Sequence, residues 1–267
     1  MGAALGIGFE EALIGAVETF MLVFVRMTGM FAVSPIFGRR NLPTYYKIGL
    51  AFFLALLLTA SGAPAMPQTG GTPLEYALLA LTELMVGISI GFIPYLMFSA
   101  IYLAGQLIDM KIGFSMVSVL DPVSNLQIPV TSNFYFILCM LVFITVNAHH
   151  SVIRAIYESY AFVPAGTLSI SRGVVDGLFR LFSDIFVLGF RMAAPIVFTV
   201  LLTDVALGII SKAMPQMNVF MVGMPLKILV GLIIIIVTLP AMMLILGELF
   251  RNVELETANF MRGIGAQ

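Results

Sequence analysis

Six apolar stretches alternate with more polar breaks along the chain: Ala12–Phe37, Ile48–Ala60, Leu74–Ala104, Phe134–Val146, Ile185–Ile210 and Ile228–Gly247. A helix that crosses a bilayer needs about 20 apolar residues, with a range of about 17–25. The first, third, fifth and sixth stretches reach that length and predict spanning helices. The second and fourth are shorter, and predict half-spans, interfacial helices or buried helices. The breaks carry turn chemistry. Gly62, Pro64, Pro67, Gly70, Gly71 and Pro73 crowd one of them, and such a segment does not continue a helix. Asp121–Pro122 breaks the middle loop, and Pro164–Ala165–Gly166 interrupts the loop after the fourth stretch. Pro35, Pro94, Pro195 and Pro240 lie within or at the ends of apolar stretches, where they predict kinks whose freed backbone groups neighbouring helices satisfy. With no short-period repeat and no low-complexity linker, residues 1–267 read as one domain.

Composition turns this pattern into a membrane assignment. Of the 267 residues 60% are hydrophobic and 10% charged, with a mean hydropathy of +1.08. A soluble domain is about 45–50% apolar and about 25% charged, so a water-soluble fold of this length could not hide its apolar surface. The expected fold class is all-α: a polytopic membrane-type helical bundle with kinked and half-length helices. No Lys or Arg precedes the first apolar stretch, and Glu10 and Glu11 stand where a cleavable signal would be basic, so the first helix is expected to remain in the mature protein. The net charge of -1, without a basic tail or stripe, argues against nucleic acid. If all six stretches span with the N-terminus outside, Arg39, Arg40, Lys47, Lys111, Lys212 and Lys227 fall inside, and Arg154, Arg172, Arg180, Arg251 and Arg262 outside. The near tie leaves the positive-inside rule without a decision.

Five charges sit inside apolar stretches: Glu18, Arg26, Glu83, Arg191 and Asp204. Each costs about 2.5–3.5 kcal/mol at a helix centre on insertion scales. Three readings compete: an ion relay, pairing with another helix or subunit, and a helix end displaced toward the interface. No two of the carboxylates stand at helical spacing within one stretch, which weakens the relay. Gly87 and Gly91 form a G-x-x-x-G, expected to bring two helices close. Met214, Met217, Met221 and Met224 recur every three to four residues, as gap-filling core or as a deformable seal. Cys139 is expected to be a small buried hydrophobe. His149 and His150 are adjacent, pointing to different faces of a helix, without a zinc-binding H-E-x-x-H. G-x-S-x-G, Walker A and dinucleotide fingerprints are absent from the sequence. Neither enzyme activity, nor a metal, nor a cofactor is expected.

Three strings change the argument. Ser34-Pro35-Ile36-Phe37-Gly38 ends the first stretch. Gly105-Gln-Leu-Ile-Asp109-Met-Lys-Ile-Gly113-Phe114 leads into Ser-Met-Val-Ser-Val-Leu-Asp121-Pro122. Met214-Pro215-Gln216-Met217-Asn218-Val219-Phe220-Met-Val-Gly223-Met-Pro225-Leu-Lys227 follows near the C-terminus. Together they resemble the FliR family of flagellar export-gate subunits and its injectisome relatives, in order and over nearly the whole chain. The resemblance implies a FliP-like part at about 1–183 fused to a FliQ-like part at about 184–267. It implies partnership with FliP-like and FliQ-like subunits in a hetero-oligomeric ring, with FlhB-like and FlhA-like export components nearby, in the bacterial inner membrane and flagellar basal body. The cargo would be unfolded polypeptides.

The family's pore plug matches Lys111–Leu126. Gly113, Phe114, Ser115, Met116, Val117, Val119 and Leu120 would form it, Gly113 loosening the backbone and the apolar side chains resisting ions by dewetting. The alternative is an ordinary buried loop. Pro215, Gln216, Asn218, Phe220, Gly223, Pro225 and Lys227 are expected to pack between subunits. An injectisome gate subunit and, from a different class, a secondary transporter with its own substrate site remain as alternatives.

Overall fold

A computed structural model describes residues 2–38, 43–62, 72–114, 129–168, 172–216 and 218–265. Among them are eight helices and no strand: α1 Gly2–Val33, α2 Thr44–Ala60, α3 Pro73–Ile112, α4 Val130–Thr145, α5 Ala148–Phe162, α6 Arg172–Ala213, α7 Val219–Arg251 and α8 Val253–Gly265. Four are long and apolar enough to cross a membrane, in Leu13–Val33, Pro73–Ile112, Gly173–Ala213 and Met221–Arg251, and α4 with α5 adds one interrupted span. These four hold the sequence's four full-length stretches, and the chain is a polytopic helical membrane protein. The short second stretch is α2, an apolar helix of 17 residues.

Helix ends follow local chemistry. α1 ends at Val33, and Ser34, which precedes Pro35, lies outside it. Gly62 takes a φ of 69° after α2, and Gly113 a φ of 101° after α3; both are left-handed values that an unbranched backbone accepts without strain. Asn147, with φ 56°, separates α4 from α5, and Asn is among the few side chains that tolerate this region. The segment after the fourth stretch is therefore not all loop. It contains α5, whose Val152, Ala155, Ile156, Ser159 and Tyr160 form a buried stripe. The charged C-terminal end likewise forms α8, with Glu254 and Glu256 in its first turn and Arg262 in its last, each on the side of the helix dipole that favours it. The interior prolines 94, 195, 225 and 240 all lie within long helices.

The chain divides into two compact units. Unit 1 comprises 1–95, 147–179 and 252–267; unit 2 comprises 96–146 and 180–251. Unit 1 is built on a close crossing of α1 and α3. A Cβ at Gly87 would overlap the Arg26 carbonyl, one at Gly91 would fall 2.6 Å from the Met30 oxygen, and one at Gly29 2.7 Å from the Leu84 oxygen. The G-x-x-x-G is thus a contact face, answered by a glycine on the opposing helix. Buried Ala51 and Ala55 face α2 inward, and Phe52 packs edge-on to Phe20 at 5.0 Å.

At the centre of unit 1 the Arg26 guanidinium and the Glu83 carboxylate form a two-pronged pair, Nε to Oε2 at 2.7 Å and Nη2 to Oε1 at 3.0 Å. Both side chains are essentially inaccessible to solvent. Arg26 also donates to Ser159 Oγ at 2.9 Å and to the Val163 carbonyl at 3.2 Å. The Gly166 N–H donates to Glu83 at 3.0 Å, and the Tyr160 ring lies 3.8 Å from the guanidinium carbon. Two of the five in-stretch charges are therefore partners within the chain, joining α1, α3, α5 and the turn after α5. α8 covers this unit, with Arg262 over the Phe162 ring at 5.3 Å and Phe260 against Gly177 of α6.

Unit 2 is held by an aromatic cluster. Phe98 of α3 meets Phe136 and Phe143 of α4 at 5.3 and 5.7 Å and Phe250 of α7 at 5.3 Å. Gly189 brings α6 against Ala100 and Leu103 of α3. Cys139 is fully buried on α4, as a small hydrophobe.

Candidate functional site

Two of the sequence's signature strings converge at one end of unit 2. There α3 ends, α4 begins, α6 ends and α7 begins. Gly105 and Asp109 stand one helical turn apart on α3. A Cβ at Gly105 would collide with the backbone of Ser132, so the glycine admits the first turn of α4 to close range. Asp109 then accepts from the Thr131 N–H at 3.0 Å and the Ser132 N–H at 3.4 Å, and is 4% exposed. The first turn of a helix presents unpaired N–H groups and a partial positive charge; a carboxylate from the neighbouring helix satisfies both. The two residues had no assigned role in the sequence, although their four-residue spacing placed them on one face.

This clasp pins together the two ends of the segment between α3 and α4. At its near end the Gly113 N–H donates to the Asp109 carbonyl at 3.1 Å and Gly113 turns the chain out of the helix at positive φ. Phe114 follows, half-buried. Ser115, Met116, Val117, Val119 and Leu120 lie outside the described residues.

The second string forms the turn from α6 into α7. Pro215 and Gln216 are exposed in that turn. Asn218 is exposed and caps α7, its Oδ1 accepting from the Met221 N–H at 3.3 Å. Phe220 lies in the first turn of α7, and its side chain is outside the description. Gly223 faces Leu207 of α6, 3.1 Å from where a Cβ would stand. Pro225 is exposed on α7. Lys227 pairs with Asp204 of α6, which gives a third in-stretch charge a partner within the chain. Arg191 is exposed on α6. Because α6 stops at Ala213 and α7 starts at Val219, the four methionines do not form one helical stripe. Met214 and Met221 are 50% and 73% exposed, contrary to a gap-filling core; Met217 lies outside the described residues.

Between these elements is a cavity of about 410 Å3. Its walls include Lys111 and Gly113 from the end of α3, Asp204 and Gly208 from α6, and Gly223 and Lys227 from α7. Ile112 packs on α7 at Gly231, where a Cβ would lie 2.6 Å from Cγ1. The end of α3 is thus braced by α4 through Asp109 and by α7 through Ile112, beside a cavity bordered by an ion pair. The arrangement offers an anchored helix end, a left-handed turn at Gly113 and an open cavity. It offers no general acid or base aligned with a nucleophile.

Among the described residues no group of three or more His, Cys, Asp or Glu gathers as metal ligands would. The His149 and His150 rings, expected on different faces, approach to 4.1 Å between centroids.

The family model for bacterial export proteins, family 1, matches residues 17–253. The flagellar biosynthetic protein FliR of Bacillus subtilis is 35% identical, over 92% of this chain and 95% of its own. The FliR of Aquifex aeolicus is 30% identical, over 91% and 92%, and that of Escherichia coli 27%, over 86% and 87%. The two signature strings fall within the matched residues, and the chain belongs to the FliR family of bacterial export proteins.

Proposed function

We propose that this protein is a subunit of the flagellar type III protein export gate, where it helps to form and seal the channel through which unfolded flagellar proteins leave the cytoplasm. The observation that carries the reading is the end of unit 2: a glycine-hinged, carboxylate-clasped stem beside the exposed turn of the family's signature string. A plug needs a fixed foot and a free body, and the Asp109 clasp with the Gly113 turn supplies the foot. Residues 113–120 are the plug in this reading. An apolar plug excludes ions by dewetting yet yields to a polypeptide. Conduction is passive, and the energy comes from other components.

The partners in this reading are FliP-like and FliQ-like subunits, with FlhB-like and FlhA-like components at the same inner-membrane complex. The FliP-like part is about 1–183 and the FliQ-like part about 184–267, a division of ancestry that differs from the packing units. The apolar faces of α6 and α7 support subunit neighbours: only 28% and 17% of their most apolar portions are buried within the chain. Pro215, Gln216, Asn218 and Pro225, exposed around the start of α7, would meet those neighbours.

Coexpression tests the reading. The tagged chain should copurify with FliP-like and FliQ-like subunits in a stable complex, and should be inert when reconstituted alone. Movement of a small solute by the lone chain would replace the gate with a transporter.

A further inference from the structure

Within unit 1 a second cavity, of about 400 Å3, opens between α2 and α5 above Met27 of α1. Its two walls differ in kind. Leu54, Leu57, Leu58 and Ser61 of α2 form one wall; at spacings of three and four they make a single helical stripe. His150, Arg154 and Tyr157, at the same spacings on α5, form the other. One side is hydrocarbon ending in a hydroxyl; the other bears a guanidinium, an imidazole and a phenol.

The charge on this cavity has one sign. Among the described residues no carboxylate lines it. The Arg154 guanidinium has Glu254 at 3.5 Å, with the two side chains 62% and 34% exposed; an open pair of this kind holds weakly and exchanges readily. Flanking the cavity stripe on α2, Phe53 is 55% exposed, a surface suited to an acyl chain. A volume of this order accepts a headgroup with the upper part of one chain. Basic pockets between membrane helices receive anionic headgroups for the same electrostatic reason.

We propose that this cavity is a binding site for one anionic phospholipid. The phosphate sits between Arg154 and His150, the Tyr157 hydroxyl donates to it, and an acyl chain runs along Leu54, Leu57 and Leu58. The site is separate from the gate, and the gate reading stands or falls on copurification whatever is bound here.

The test uses the whole complex, purified with its companion subunits and exchanged into vesicles of phosphatidylglycerol and phosphatidylcholine in equal parts. Lipid retained after extraction is counted by native mass spectrometry. Wild type should retain phosphatidylglycerol over phosphatidylcholine, and Arg154→Gln should lower that retention about fivefold, the factor expected for one basic residue near a membrane surface. Leu58→Trp, which fills the cavity, should abolish it, whereas Leu56→Trp on the opposite face of α2 should not. Equal retention of the two lipids by wild type, or unchanged retention in Arg154→Gln, would overturn the proposal. So would displacement of the lipid by millimolar inorganic phosphate, which would identify a free-anion site. A photocrosslinker at position 57 should label lipid; a protein adduct would make the cavity a subunit contact instead.

Discussion

The α1–α3 crossing and the α6–α7 pair are both apolar helix pairs, yet they solve opposite problems. At the crossing three glycines let two backbones meet closely, and a buried Arg26–Glu83 pair has each polar group answered by the chain itself. Along α6 and α7 the Asp204–Lys227 ion pair is about one-third exposed. Ile236, Val237 and Leu244 are 68–73% exposed on α7. The first region is finished within the chain. The second is a surface still to be covered. In the export-gate reading the first region is a fixed frame and the second depends on its neighbours.

Substitutions separate the two. Arg26→Ala should have the largest effect, because it strands a buried carboxylate; such losses cost about 3–5 kcal/mol. A fall in the thermal midpoint of the purified complex and in folded yield is expected, with the paired change Arg26→Met and Glu83→Leu restoring most of it. An unchanged midpoint in Arg26→Ala would remove the pair from the frame. Gly87→Val comes next. Its branched side chain has no room against the Arg26 carbonyl, and overpacking of this kind costs about 1–3 kcal/mol. Its effect should appear in the same melting curve, with Gly247→Val, where a Cβ meets open space, as the milder control.

Asp204→Asn should do much less, under about 1 kcal/mol, because a partly exposed pair is screened. A larger drop in midpoint would mean that the pair is enclosed by another subunit. The smallest effect on folding belongs to deletion of Gly113–Val119, since the Asp109 clasp lies outside the deleted residues. Its signal lies elsewhere: the assembled complex should form, and the membrane should leak small ions. Unchanged ion permeability with a normal complex would discard the plug.

Much of the frame was legible in the sequence. The four full-length apolar stretches are spanning helices because a run of that length needs only composition to be recognised. The Gly87–Gly91 face was legible because small residues at that spacing have one common use. The pairing of Arg26 with Glu83 was open among three readings, since 57 residues separate them and spacing says nothing about contacts across helices. α5 and α8 went unread for another reason. Their apolar residues are sparse and periodic, as in Val152, Ala155, Ile156 and Ser159, and a search for long apolar stretches passes over them. The cavity between α3, α6 and α7 depends on three helix ends meeting, which no local pattern encodes. The residues that build it, Gly113, Gly223 and Lys227, were nevertheless singled out by the strings that carry the family resemblance.

The central claim is that the open face of α7 is covered by sister subunits, with lipid contact secondary. The most direct measurement replaces Ile236 by Cys in the assembled complex, with Cys139 changed to Ala, and applies a short bifunctional thiol–photoreactive crosslinker. Adducts with a FliP-like or FliQ-like subunit are expected in high yield. Adducts with lipid alone, from a complex of normal composition, would contradict the account.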